Sequence, residues 1–129
     1  MLAVDTNVVV RYLTRDDAEQ FARASALIGS EDVYVCMTVL LETEWVLRRG
    51  YRFSRERIIA ALAAFAGLRR VTLEDPTVAA RALEWMRSGM DFADALHLAK
   101  TEGCEAFVSF DQRFSDVANA LSEVKVRAP

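Results

Sequence analysis

Short apolar runs of three to five residues recur along this chain, separated by longer stretches with helical periodicity, and that alternation constrains the fold more than any other feature. Leu2-Ala3-Val4, Val33-Tyr34-Val35-Cys36, Arg70 to Leu73, Ala106 to Phe110 and Val124 to Val126 read as strands, being too short for helices and rich in β-branched and aromatic residues. They are apolar at consecutive rather than alternate positions, the pattern of strands covered on both faces. Parallel neighbours need helical crossovers. The pattern therefore predicts an α/β fold, a three-layer α/β/α sandwich with a short-stranded, mainly parallel sheet. In such sheets ligands and chemistry collect at the carboxyl ends of strands, near a point where strand order reverses.

The helical stretches carry recognisable start and stop signals. Thr6 to Leu13 continues from Asp5, and Asp16 or Asp17 is placed to cap a helix from Ala18 to about Ile28, with Gly29 as its stop. Thr38 is placed to cap a helix running to about Arg49, and Ser54 to open another through Ile58 to Leu68. Pro76 stands at the start of a helix through Val78, Ala82 and Met86, and Asp91 or Phe92 begins one ending near Gly103. No linker, repeat or low-complexity tract interrupts the apolar pattern, so residues 1–129 are expected to form a single domain. At 129 residues and 53% hydrophobic, the chain can bury a core without a disulfide or structural metal.

Several classes are excluded. The longest apolar runs, Val33 to Leu41 and Ile58 to Leu68, fall short of the roughly 18 residues a membrane span needs. Met1-Leu2-Ala3-Val4-Asp5 has no basic n-region, so the N-terminus reads as mature structure and a reducing cytoplasm as the expected location. Cys36 and Cys104 lack the spacing of zinc or redox sites and read as free thiols. A formal net charge of -3 gives no global field for nucleic acid, which leaves phosphate contacts to local patches or to a metal.

Two of the runs end in aspartate, Asp5 and Asp111, which brings both carboxylates to one edge of a parallel sheet. Each alone reads as an N-cap. The helix from Phe92 turns Phe92, Ala95, Leu96 and Ala99 to one side and Asp94, His97 and Thr101 to the other, so a first-turn Asp94 projects toward the strand ends, while Asp91 is the better cap. In Val39 to Leu47, apolar nearly all round, Glu42 and Glu44 lie on different faces. Periodicity does not choose which enters a site, but at least one requires a cation, because an unpaired buried carboxylate is costly. Carboxylates gathered closely repel one another unless hard, oxygen-preferring cations share their charge, which points to Mg2+ or Mn2+.

Four segments carry a resemblance: Leu2-Ala3-Val4-Asp5-Thr6-Asn7-Val8, Glu42-Thr43-Glu44-Trp45-Val46-Leu47-Arg48-Arg49, Asp91-Phe92-Ala93-Asp94-Ala95-Leu96-His97-Leu98-Ala99, and Val108-Ser109-Phe110-Asp111-Gln112-Arg113-Phe114. In this order they resemble the successive motifs of PIN-domain nucleases. The length, and the tryptophan three residues after Glu42, resemble VapC-type toxins of toxin-antitoxin systems. The resemblance implies a Mg2+- or Mn2+-dependent endoribonuclease, usually a homodimer, acting on RNA and held inactive by an antitoxin that covers the acidic site. Matched residue by residue, it puts the acidic quartet at Asp5, Glu42, Asp94 and Asp111. Asn7 is then a supporting residue, Thr6 or Ser109 a hydroxyl, Asp91 an extra acid and Asp116 a weaker one.

Such a site polarises a metal-held water for attack on a phosphodiester. Asp5, Asp94 and Glu42 are expected to hold the main ion, and Asp111 a second ion or the attacking water. Arg113 lies near the expected site. The cluster Arg48, Arg49, Arg52, Arg55 and Arg57, with Tyr51 and Phe53, reads first as a solvated helix end and second as a grip on RNA. His97 reads as structural. Part of Ile58 to Leu68 is expected to form a dimer or antitoxin surface.

Other strand-ending acids fit less well. A phosphatase of the haloacid dehalogenase type needs a second acid where this chain has Asn7, and a phosphoreceiver needs a late lysine that neither Lys100 nor Lys125 supplies. The rival from another class is a PIN-like module that binds RNA or protein without cutting.

Overall fold

In the computed structural model, which describes residues 1–129, the chain divides into two units, Met1–Pro76 and Thr77–Pro129. The first unit runs β1 (Leu2–Ala3), α1 (Thr6–Thr14), α2 (Ala18–Ser30), β2 (Val33–Val35), α3 (Met37–Arg49), α4 (Arg55–Ala66) and β3 (Val71–Leu73). Its strands pair in parallel in sequence order, with Leu2 opposite Val33 and Val33 opposite Val71. Each step between neighbours is crossed by two helices, as parallel pairing demands. Central β2 buries Val33 and Val35 completely, whereas edge strand β1 leaves Leu2 and Ala3 exposed. Within this unit α1 packs on α2 and α3, α3 on α4, and α4 on β3.

The α4 helix buries Ile58, Ile59, Leu62 and Phe65, leaving Ala60, Ala63 and Ala64 exposed. Its apolar excess therefore serves the core, and only alanine methyls remain on the outside.

Caps follow local chemistry with one exception. Asp5, Asp17 and Ser54 accept from the backbone N–H groups of Thr6, Gln20 and Arg57, which settles the choice between Asp16 and Asp17 for α2. Thr38, in contrast, does not cap α3. That helix begins one residue earlier, Cys36 at its N-cap makes no side-chain bond, and the Met37 N–H donates to Glu74 Oε1 at 2.8 Å. The chain passes from β2 into α3 without a turn, so an acid just past the end of neighbouring β3 supplies the missing acceptor.

The second unit comprises α5 (Pro76–Arg87, its first residue in the preceding unit), α6 (Phe92–Ala99), β4 (Phe107–Val108), α7 (Gln112–Leu121) and β5 (Val126–Arg127). The two strands are parallel, with Phe107 opposite Val126, and pair only with each other. A two-stranded sheet is marginal unaided. Here the Asn119 side chain extends it, donating to the Val126 carbonyl and accepting from the Val126 N–H, both at 2.9 Å, while Phe107 meets Phe114 edge-on at 5.5 Å.

The α6 helix stops at Ala99, short of Gly103. The Thr101 N–H and hydroxyl both bond the Leu98 carbonyl, tightening the last turn, and Gly103 takes a left-handed φ of 89° in the following loop. Seven helices and exclusively parallel strand pairs make this an α/β fold, as the alternating pattern predicts. The ladder is divided between two sheets, and the three-stranded sheet contains no reversal of strand order.

Candidate functional site

In the first unit the candidate residues gather where β1 passes into α1. Asp5 is exposed; its Oδ1 accepts from the Thr6 N–H at 2.8 Å, and its carbonyl accepts from the Val8 and Val9 amides. Thr6 is only 4% exposed, and its Oγ1 is buried without any hydrogen-bond partner. A hydroxyl of this kind, left without a partner, costs about 1–3 kcal/mol. Asn7, next along, is exposed.

The two glutamates of α3 separate cleanly. Glu44 is 1% exposed and accepts from Arg48 Nε at 3.0 Å and from Arg48 Nη2 at 3.4 Å, whereas Glu42 is exposed. Glu44 is the buried carboxylate that needs a cation and has one, one helical turn away. Trp45, three residues after Glu42, is 55% exposed.

In the second unit the candidate acids sit at the starts of two helices. Asp91 caps α6 by accepting from the Asp94 N–H at 3.2 Å, and Asp111 caps α7 by accepting from the Phe114 N–H at 2.9 Å. Ser109 Oγ accepts from the Asp111 N–H at 3.0 Å, which holds the turn that presents this aspartate. Asp94 is half-buried. Burial pushes its carboxyl above the usual carboxylate range, the neighbouring Asp91 and Asp111 push it further, and His97 opposes them. Each of these acids is negative in the field of the others, so added positive charge would relieve them.

The remaining candidates lie outward. Arg113 and His97 are exposed, and Asp116 is exposed and accepts from Gln112 Nε2. Phe110, directly before Asp111, is 90% exposed. In the arginine cluster, Arg57 lies over the Phe53 ring at 3.7 Å and Arg48 is committed to Glu44. Neither unit brings three or more His, Cys, Asp or Glu side chains to the mutual distance that holds a metal ion.

Sequence reasoning missed two polar groups. Glu74 had a signal, since it too follows a strand run. The network in which Arg11 Nη1 donates to Asp16 and to Tyr51 Oη, and Tyr51 Oη donates to Asp16 at 2.6 Å, had none, because it joins residues up to 40 positions apart.

The family model for the PIN domain matches residues 2–120. The chain belongs to the PIN-domain family, a family of nucleases. Among solved structures, that of Mycobacterium tuberculosis VapC20, described as a sarcin-ricin loop cleaving toxin, is similar at 26% identity over 97% of this chain and 99% of that one. The two structures superpose with a TM-score of 0.43. No curated protein matches the chain.

Proposed function

We propose that this protein is a metal-dependent endoribonuclease of the VapC toxin type. The observation that carries the reading is the family match across residues 2–120, which embraces all four acidic motifs in order. On this reading residues 1–129 act as one nuclease domain whose acidic quartet is Asp5, Glu42, Asp94 and Asp111.

The donor set fits Mg2+ or Mn2+. Every candidate ligand is a carboxylate oxygen, the preference of hard cations, and the unpartnered Thr6 hydroxyl lies beside Asp5. Burial, then the neighbouring Asp91 and Asp111, hold the Asp94 carboxyl above the usual carboxylate range, which a nearby cation would oppose. Asp5, Glu42 and Asp94 would hold the ion, which when bound neutralises phosphoryl charge and acidifies water. Asp111 would hold a second ion or orient the attacking water, and the Ser109 hydroxyl holds the turn that presents it. The water oxygen bonds to phosphorus as the water gives up a proton, the bond to one ribose oxygen breaks, and that oxygen takes up a proton from solvent and leaves as a hydroxyl. Phe110 and Trp45 put exposed aromatic surface beside Asp111 and near Glu42, as single-stranded RNA recognition requires.

Its partners are RNA, an antitoxin that masks the acids and a second copy of the chain, and its place is the cytoplasm. No helix is long and apolar enough to cross a membrane.

End-labelled total cellular RNA tests the reading, incubated with wild type or Asp5→Asn protein in Mg2+, Mn2+ or excess EDTA after any co-purified partner is stripped. Discrete metal-dependent fragments from wild type alone are expected. The exposed Phe110 and Trp45 rings would serve equally in a second reading, a silent binding module. RNA binding without cleavage by folded, partner-free protein would establish that module and overturn the nuclease.

A further inference from the structure

Between α1 and α2, wholly within the first unit, lies a groove of about 430 Å³. Asn7, Val8 and Arg11 line it from α1, and Gln20, Arg23 and Leu27 from α2. The spacing explains why these side chains meet: Asn7 and Arg11 are i and i+4 on one helix, and Gln20, Arg23 and Leu27 are i, i+3 and i+7 on the other. Neither Asp nor Glu lines the groove, and both of its charges are positive.

The two arginines differ in character. Arg11 is half-buried and locked, its Nη1 on Asp16 and Tyr51 and its Nε on Gln20 Oε1 at 2.6 Å, so that Nη2 alone keeps its donors. Asp16 offsets its charge but lies outside the groove. Arg23 is exposed and in no ion pair. The groove thus offers one fixed guanidinium edge and one exposed cation in no ion pair, beside the apolar side chains of Val8, Ala24 and Leu27. Its volume falls within the roughly 300–1,000 Å³ typical of small-ligand sites, the scale of a nucleotide.

Location decides what it takes. Asn7 is both the groove's lining residue nearest the start of α1 and the second residue after Asp5, so one end of the groove lies within two residues of the candidate acid along the chain. We infer that this groove is a subsite for the RNA strand flanking the scissile phosphate, with Arg23 pairing a backbone phosphate and Arg11 Nη2 and Asn7 contacting the adjoining nucleotide. Arg11, Arg23 and Asn7 are positioning residues. The inference rests on the nuclease reading, because the groove's proximity to Asp5 matters only if Asp5 serves in cleavage.

The test uses fluorescence anisotropy with a labelled, mixed-sequence single-stranded 12-mer RNA in EDTA, on wild type, Arg23→Glu, Arg23→Ala and Arg23→Lys. Thermal melts confirm that each variant folds. Arg23→Glu is expected to bind at least about tenfold more weakly, Arg23→Lys to stay near wild type, and Arg23→Ala to lower the slope of log affinity against log salt by about 0.7, the loss of one single-strand phosphate contact. Wild-type affinity and salt slope in Arg23→Glu, in protein that binds and cleaves RNA, would overturn the subsite alone. A groove that instead seats an acidic peptide gives that same result. Failure of the wild type to bind any RNA in EDTA would overturn the subsite, while absence of metal-dependent cleavage of total RNA by the same folded protein would overturn the nuclease reading.

Discussion

The Glu44 carboxylate lies 3.0 Å from Arg48 Nε, one helical turn away, with Glu44 1% exposed and Arg48 on the protein's surface side. This pair frees Glu42. Two glutamates separated by one residue have opposite tasks, one holding α3 in the core and the other facing solvent, where a substrate or ion can reach it.

Replacing them separates stability from activity. Glu44→Ala leaves a void and removes the carboxylate that accepts from Arg48 Nε, and is expected to lower unfolding free energy by about 2–3 kcal/mol in urea titrations. Glu42→Ala should change stability by no more than about 0.5 kcal/mol while abolishing RNA cleavage. A Glu42→Ala protein with wild-type cleavage would remove Glu42 from the site.

Thr6→Val exchanges an orphaned hydroxyl for a methyl of the same shape. Folding stability should stay level or rise by about 1 kcal/mol, because nothing satisfied the hydroxyl in the fold. Mn2+ binding measured by calorimetry should weaken. Loss of stability with unchanged Mn2+ affinity would show that the hydroxyl serves the fold.

Asp16 titrates below the usual carboxylate range because the Tyr51 and Thr14 hydroxyls donate to it and Arg11 faces it. A carboxyl whose folded value is depressed contributes stability above its unfolded value, near 3.9, and loses it as pH falls through the folded one. The melting-temperature difference between wild type and Asp16→Asn should therefore be flat from pH 7 to 5 and shrink below about pH 4. A gap that widens in acid would contradict this network.

Phe110→Ala removes an aromatic ring that is 90% exposed and supports no core. Melting temperature should not fall. Single-stranded RNA binding should weaken by about 1–3 kcal/mol if a base stacks there, and KM should rise more than kcat falls. Equal RNA affinity in the variant would assign this ring to a protein partner instead.

Much of this was legible in the residues. Asp17, Ser54, Asp91 and Asp111 cap the helices they precede because an N-cap bond spans only two or three residues, so sequence neighbours suffice. Thr38 misled because the α3 start is satisfied by Glu74, 37 positions away. Helical periodicity showed that Glu42 and Glu44 point differently, yet which face met the core depended on what packed against α3.

Strand, helix, cap and acidic-motif positions follow from short-range chemistry: steric preference, side chains bonding their own backbone, and apolar spacing of 2 or 3.6 residues. Partner choice does not. That β4 pairs only with β5, that Asn119 extends their sheet, that Arg48 neutralises Glu44 and that Arg11 meets Tyr51 across 40 residues are long-range outcomes. Burial and shape complementarity select among partners that sequence spacing leaves equivalent. The same selection left the Thr6 hydroxyl without one.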